Sequence, residues 1–343
     1  MNPVPTHFTD ASAKPLAMLL AGTLLLSMSP LSHANEQVTF QLDWLPGGDK
    51  APVYVGLAQG FFEEEGLEVR ISQGRGSTDA MTKLATRQAD IGLADITALM
   101  VAQAEGGIPV KGVYSVFSQA PHAFYVLESS GIESVADVEG KRIATSPFTS
   151  SNLFLPLLLE LNGVDDGDIE LIQSDPGTLS PMLLNGRTDV VISWVTDHER
   201  YAANARSADE SLRVIPWHEA GLEAYATTLV ASERFLEERP EVARRFISAY
   251  EKAIEYTWEN PQEAAEAVHA VVPEVEVEMA ASTIEAIRSL VFNDASDAHG
   301  LGTFDPERLA TTWQWTAEAQ DMDPAQLDPE SIIDRSFMPG GDS

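Results

Sequence analysis

The chain has 343 residues, 21 Lys and Arg against 53 Asp and Glu, a formal net charge of −32 and no cysteine. Its length suits two domains with real cores, and 44% hydrophobic residues argue against disorder throughout. Nucleic acid and anionic membrane surfaces are poor partners for so negative a field, and the missing thiols exclude disulfide scaffolds, cysteine-ligated zinc, iron–sulfur clusters and cysteine nucleophiles.

The first segment reads as a targeting leader. Lys14 precedes an apolar run from Pro15 to Ser29, and Ser32-His33-Ala34 offers small residues for cleavage after Ala34. The run is too short and too interrupted to span a bilayer, and no Arg-Arg pair precedes it, which favours the general secretory route. The leader holds one Lys and one Asp, so its removal leaves the net charge unchanged. With no cysteine to carry a lipid, the exported chain is expected to be a freely diffusing periplasmic monomer. Its acidity reads mainly as a solvated surface suited to salty surroundings, with a smaller share available to attract a cationic ligand.

From residue 38 onward, strands and helices alternate. Residues 38–42 form a strand ending at Asp43-Trp44, and Leu45-Pro46-Gly47-Gly48-Asp49 has turn chemistry. A helix covers 53–60, a strand 67–71, and a helix opens after Gly74-Arg75-Gly76 with Ser77 or Thr78 as its cap. A strand follows at 89–95, a helix at 97–105 and a strand at 110–117. A second set begins after 123–127, with strands at 141–145, 169–172 and 189–194 and helices at 153–161 and 179–184. Residues 146–152 read as a polar turn, 240–320 as mostly helical and the tail after Asp321 as extended. Such alternation predicts mainly parallel sheets with helices on both faces. One internal echo, 84–93 against 183–192, sets a helix end and a tight turn before an Asp that opens an apolar strand; two lobes of similar build would explain it.

In open α/β sheets, ligands bind beyond the carboxyl ends of the strands. That rule selects Asp43, Trp44, Ser77, Thr78, Asp95 and Ser118 in the first set. In the second it selects Ser146, Thr149, Ser150, Ser151, Asn152, Trp194 and Asp197. The two groups are expected to face each other across a cleft, with His122 near the crossing, as a hinge-packing side chain or a ligand contact. A Trp can stack on a planar ring while a neighbouring carboxylate accepts N–H groups from it. The helix start at Ser77 could instead offer N–H groups to an anion, assisted by an Arg such as Arg75. The runs Asp197-His198-Glu199 and His218-Glu219 lack metal-site geometry. No G-x-S-x-G, H-E-x-x-H or phosphate-loop pattern occurs, no nucleophile–base set is visible, and nothing implies a cofactor or metal.

Several segments carry a family resemblance. Gln41-Leu42-Asp43-Trp44-Leu45-Pro46, then Ala51-Pro52-Val53-Tyr54-Val55-Gly56-Leu57-Ala58-Gln59-Gly60-Phe61-Phe62, resembles the opening of thiamine-pyrimidine-precursor binding proteins, which belong with the sulfonate, taurine and nitrate binding proteins of ABC importers. Gly76-Ser77-Thr78, Ala89-Asp90-Ile91-Gly92 and Asn185-Gly186-Arg187-Thr188-Asp189-Val190 extend the match. The resemblance implies an α/β, two-lobe type II periplasmic binding fold with a ligand cleft between lobes and two hinge crossings. It divides the chain into a leader (1–34), a first lobe (35–125), a second lobe (126–222) and a return crossing with helices that complete the first lobe (223–343). It also implies capture of a small planar N-heterocycle by lobe closure, stacking on Trp44, polar recognition by Asp43 and delivery to an inner-membrane ABC permease. Placing Trp194 on the opposite face rests on geometry. The alternatives are a sulfonate, taurine or nitrate carrier and a secreted enzyme. The family's pyrimidine-synthesising branch uses a cysteine-rich motif that this chain lacks. Gly47-Gly48-Asp49-Lys50 also replaces the Asn- and His-containing loop of the pyrimidine branch.

Overall fold

The structure is a computed structural model and describes residues 35–222 and 224–338. The leader expected over 1–34 lies outside the described residues. Among the described residues, ten strands form two five-stranded sheets. The first holds β1 (Glu36–Gln41), β2 (Leu67–Ser72), β3 (Ile91–Asp95) and β4 (Val110–Ser115). The second holds β5 (His122–Leu127), β6 (Arg142–Thr145), β7 (Glu170–Gln173), β8 (Val190–Trp194) and β9 (Leu212–Pro216). The chain then returns to the first sheet as β10 (Thr227–Ser232).

The strand orders are β2-β1-β3-β10-β4 and β7-β6-β8-β5-β9. In each sheet four strands run one way and one runs against them, β10 between β3 and β4 or β5 between β8 and β9. Those two strands are the ones the chain reaches by crossing from the other sheet. The mainly parallel reading therefore needs one correction per sheet. β9 and β10 are also additions to the elements read from sequence. All six residues of β10 are buried, so it shows no alternation of apolar and polar positions.

The internal echo has a physical cause. The helices Ser77–Ala85 and Pro176–Leu184 each end in a left-handed turn, at Arg87 and Gly186, and feed the third strand of their sheet. The Asp after each turn fastens the neighbouring strand. Asp90 Oδ2 accepts the Thr39 amide at 2.9 Å, and Asp189 Oδ2 accepts the Arg142 amide at 2.9 Å.

Local expectations shift in four places. The first helix is Ala51–Ala58, with Pro52 in its opening turn. The helix Ser77–Ala85 has Gly76 at its cap with no side-chain bond, because the Ser77 hydroxyl is turned to accept the Asp95 amide at 3.0 Å. The helix Ser151–Leu161 begins inside the segment read as a polar turn. The tail forms three 3₁₀ turns, Pro324–Gln326, Pro329–Ile332 and Arg335–Phe337, instead of running extended.

The helix Pro240–Glu259 explains how the first sheet is covered. It buries Val242, Phe246, Tyr250 and Ile254 at helical spacing. Phe246 stacks on Phe40 of β1 at 5.6 Å and on Phe62 at 4.9 Å between ring centroids. No helix among the described residues is long and apolar enough to cross a membrane.

The lobes touch directly at Gly76. The Thr78 amide donates to the Phe148 carbonyl at 3.1 Å, and the Ser146 hydroxyl donates to the Arg75 carbonyl at 2.8 Å. Gly76 has φ 152°, and a Cβ there would lie 2.1 Å from the Phe148 carbonyl oxygen. Both the backbone and the approach require glycine. Gly76→Ala should lower stability by about 1–3 kcal/mol through backbone strain and hold the lobes apart. Urea denaturation and small-angle scattering check this; an unchanged radius of gyration would contradict the steric argument.

Candidate functional site

The first helix sets the geometry of the site. Residues 51–56 of Ala51–Ala58 are all buried, so the first six residues of the helix present no face to solvent. Its N-terminus is therefore inside the protein, and the preceding turn Gly48–Lys50 is buried with it. Lys50 is 1% exposed. Its Nζ lies 2.7 Å from Asp43 Oδ1 and 3.0 Å from Asp49 Oδ2, and 5.4 Å from the centroid of the Trp194 ring on the second lobe. A buried ammonium is tolerated only when paired in this way. Burial pulls the Lys50 ammonium down, but Asp43 and Asp49 outweigh it and hold it above the ordinary lysine range. Burial also raises the Asp49 carboxyl, against the pull of Lys50.

Lys50 meets Asp43 and Asp49 as ion pairs. Asp43 Oδ1, Asp43 Oδ2 and Lys50 Nζ, all buried, have no directed hydrogen bond among the described residues. Asp43 therefore retains acceptor capacity at a position 1% exposed.

Asp43 and Trp44 face Gly76, Ser77, Thr149, Ser193 and Trp194 around a void of about 10 Å³, room for roughly one water. Five residues selected by the strand-end rule meet here: Asp43, Trp44, Ser77, Thr149 and Trp194. Asp197 closes the outer side. It accepts the Trp44 indole N–H at 3.1 Å, the Ser193 hydroxyl, and Arg200 at 2.6 Å.

A second buried group runs beneath. The Ser150 hydroxyl donates to Asp95 Oδ2 at 2.8 Å, and the Thr97 amide and hydroxyl donate to Oδ1 at 3.0 and 2.8 Å. His122 Nε2 lies 3.4 Å from Asp95 Oδ2, and His122 Nδ1 lies 3.0 Å from the Ser151 hydroxyl. Ser151 also accepts the Trp194 indole N–H at 3.2 Å. Burial pushes the Asp95 carboxyl up to about 6, although the bonds from Thr97 and Ser150 pull the other way. Burial pulls the His122 imidazole down to about 3.

The remaining candidates stand apart from the void. Ser146 spends its hydroxyl on the Arg75 carbonyl. Asn152 accepts the Thr145 hydroxyl and donates to the Ser146 carbonyl, holding its own turn. Thr78 is exposed. Ser118 pairs with Asn293 on another wall, at 2.9 Å. Four polar residues around the site were missed in the sequence: Lys50, Asp49, Ser193 and Arg200. For Lys50 the signal was present. A cation at the start of a wholly apolar helix must follow that helix into the interior.

Comparison with known proteins places this geometry in context. Residues 48–264 match the model of the family described as NMT1/THI5 like. The chain belongs to that family. A Haemophilus influenzae protein named for thiamine biosynthesis is 30% identical over 237 residues, 69% of this chain and 74% of that one. The formylaminopyrimidine-binding protein of Halalkalibacterium halodurans is 27% identical, covering 73% and 74%. The riboflavin-binding protein RibY of Chloroflexus aurantiacus is 25% identical, covering 89% and 87%. Among solved structures, the alkanesulfonate-binding protein SsuA of Xanthomonas axonopodis superposes with a TM-score of 0.69 at 16% identity, covering 88% and 99%. The two-lobe periplasmic binding fold follows from these matches and from the two sheets.

Two measurements probe the site's electrostatics. Lys50→Met leaves Asp43 and Asp49 buried without a cation and should cost about 3–5 kcal/mol in chemical denaturation; the double variant with Asp43→Asn should recover part of that loss. The second measurement is pH dependence. The unfolded His122 binds a proton below its ordinary 6.5, whereas the folded one resists until about 3. Wild type should therefore gain stability over His122→Gln as pH rises from 3 to 6.5. Asp95 has the opposite sign: it holds its proton to about 6 when folded but only to its ordinary 3.8 when unfolded. Wild type should lose stability relative to Asp95→Asn as pH rises from 3.8 to 6. Flat difference curves would contradict the burial argument.

Proposed function

We propose that this chain is the solute-binding component of an ABC importer and carries a small planar N-heterocycle, unaltered, between its two lobes. The observation that carries this reading is Asp43. It is a buried carboxylate whose two oxygens lack directed hydrogen bonds, and it stands beside Trp44 and faces Trp194. A flat ring stacked on indole with N–H or amino groups turned to Asp43 fits that chemistry. Relatives named for binding riboflavin and formylaminopyrimidine support a ring-shaped ligand.

The remaining role follows from this assignment. After cleavage of the leader behind Ala34, the monomer diffuses in the periplasm. Ligand shifts its open–closed equilibrium, and the closed form presents both lobes to an inner-membrane permease.

The anion reading draws less support. Arg75 is engaged by Asp79 at 3.3 Å and lies over Phe148, and the Thr78 amide already donates to the Phe148 carbonyl. Related yeast proteins are named as 4-amino-5-hydroxymethyl-2-methylpyrimidine phosphate synthases. This chain has no cysteine, which argues against the cysteine-rich motif that the family resemblance implies for a pyrimidine-synthesising branch.

A thermal-shift screen against pyrimidines, flavins, sulfonates, nitrate and amines tests the proposal. A true ligand at a hundred times its dissociation constant should stabilise by about 2.7 kcal/mol, and mass spectrometry should return it unaltered. Trp44→Ala and Asp43→Asn should each weaken binding of a responding pyrimidine or flavin by about tenfold to a hundredfold. A response to taurine or nitrate alone, retained in Trp44→Ala, would reverse the choice of ligand class.

A further inference from the structure

The loops that line the inner void also line a second space on their other side. Leu45–Asp49 of the first lobe and Thr196, Asp197 and Arg200 of the second wall a chamber of about 270 Å³. The Trp44–Asp197 hydrogen bond, at 3.1 Å, joins the two loops at this boundary, with Trp44 lining the inner void and Asp197 the outer chamber. Asp49, Thr196, Asp197 and Thr283 line the chamber, each less than a tenth exposed, and Pro46, Val275 and Met279 add apolar surface. Glu274 lies exposed at its edge.

The charge of this chamber has a definite sign. It is lined by three carboxylates, Asp49, Asp197 and Glu274, against one cation, Arg200. Arg200 is held by Asp197 at 2.6 Å, and the Lys50 that faces Asp49 is shared with Asp43. Neither cation is left over to meet an anion, and the net charge of −32 adds a long-range field of the same sign.

We infer that this chamber is a second subsite that receives a cationic, amine-bearing substituent of the ligand whose ring lies between Trp44 and Trp194, with the Trp44–Asp197 bond as the door between them. The inference rests on the ring-binding reading above. The ring fills the inner void once the lobes open. The substituent passes where Trp44 and Asp197 meet, replaces the indole as a donor to Asp197, and lays its alkyl part on Pro46, Val275 and Met279.

Three 4-amino-2-methylpyrimidines that differ only at C5 test this by calorimetry: propyl, 3-aminopropyl and 2-carboxyethyl. Wild type should bind the aminopropyl compound at least tenfold tighter than the propyl one and the carboxyethyl compound weakest. Met279→Trp, which fills the chamber, should weaken the chain-bearing compounds and remove the aminopropyl advantage, while 4-amino-2-methylpyrimidine with no chain at C5 stays within about twofold. Glu274→Lys, an exposed change that spares the core, should weaken aminopropyl binding and strengthen carboxyethyl binding while leaving propyl binding unchanged. Equal affinities for the three compounds in wild type, or equal losses for all three in both variants, would overturn the subsite while leaving ring binding intact. Binding of none of the three by wild type would overturn the assignment of the ring and the subsite with it.

Discussion

Taking an ammonium group out of water costs several kcal/mol unless carboxylates meet it inside. Lys50 imposes that requirement on the whole first lobe. The helix behind it is buried at all of its first six residues, so the turn before it cannot reach solvent. Two carboxylates must therefore come to Lys50. One is its neighbour Asp49, and the other, Asp43, is delivered by the end of β1. The loop between Asp43 and Lys50 is short enough that anchoring both ends sets Trp44 at the cleft. A residue needed for stability thus positions the indole on which the proposed ring would stack.

The second lobe answers this anchor with polar groups of its own. Asp197 takes the Trp44 indole, Ser150 reaches Asp95, and Trp194 lies over the Lys50 ammonium. Each contact couples a side chain at a strand or helix end of one lobe to one on the other. Such contacts exist only while the lobes are apposed, and Asp95 takes part of its hydrogen bonding from Ser150 across that seam. The buried acidic residues of the cleft are few: Asp43 and Asp49 share Lys50, Asp197 holds Arg200 and Asp95 accepts Ser150. Most of the negative charge lies elsewhere on the chain.

Much of the scaffold was legible in the sequence. Asp90 and Asp189 each stand after a helix end and a tight turn, and each pins a neighbouring strand amide, so a repeated local pattern reported a repeated local bond. Asp43, Trp44, Ser77, Thr149 and Trp194 were reachable because strand ends in open sheets collect at one edge. Thr78, Ser118, Ser146 and Asn152 satisfied the same rule, yet Thr78 is exposed and the other three spend their polar atoms on Asn293, the Arg75 carbonyl and the Ser146 carbonyl. The rule gives position along a strand and not the direction of a hydroxyl. β10 escaped for a different reason: a strand buried on both faces has no period.

The sequence by itself determined the alternation of strands and helices, the family, and the pairing of a carboxylate with an indole at the end of the first strand, because these depend on neighbours within a few residues. Only the tertiary structure decided that β5 and β10 run antiparallel inside otherwise parallel sheets, that Lys50 is buried between Asp43 and Asp49, and that Trp44 meets Asp197 across 153 positions of chain. Those outcomes depend on which surfaces of distant segments are pressed together, and a buried charge finds its partner only after the fold has closed around it.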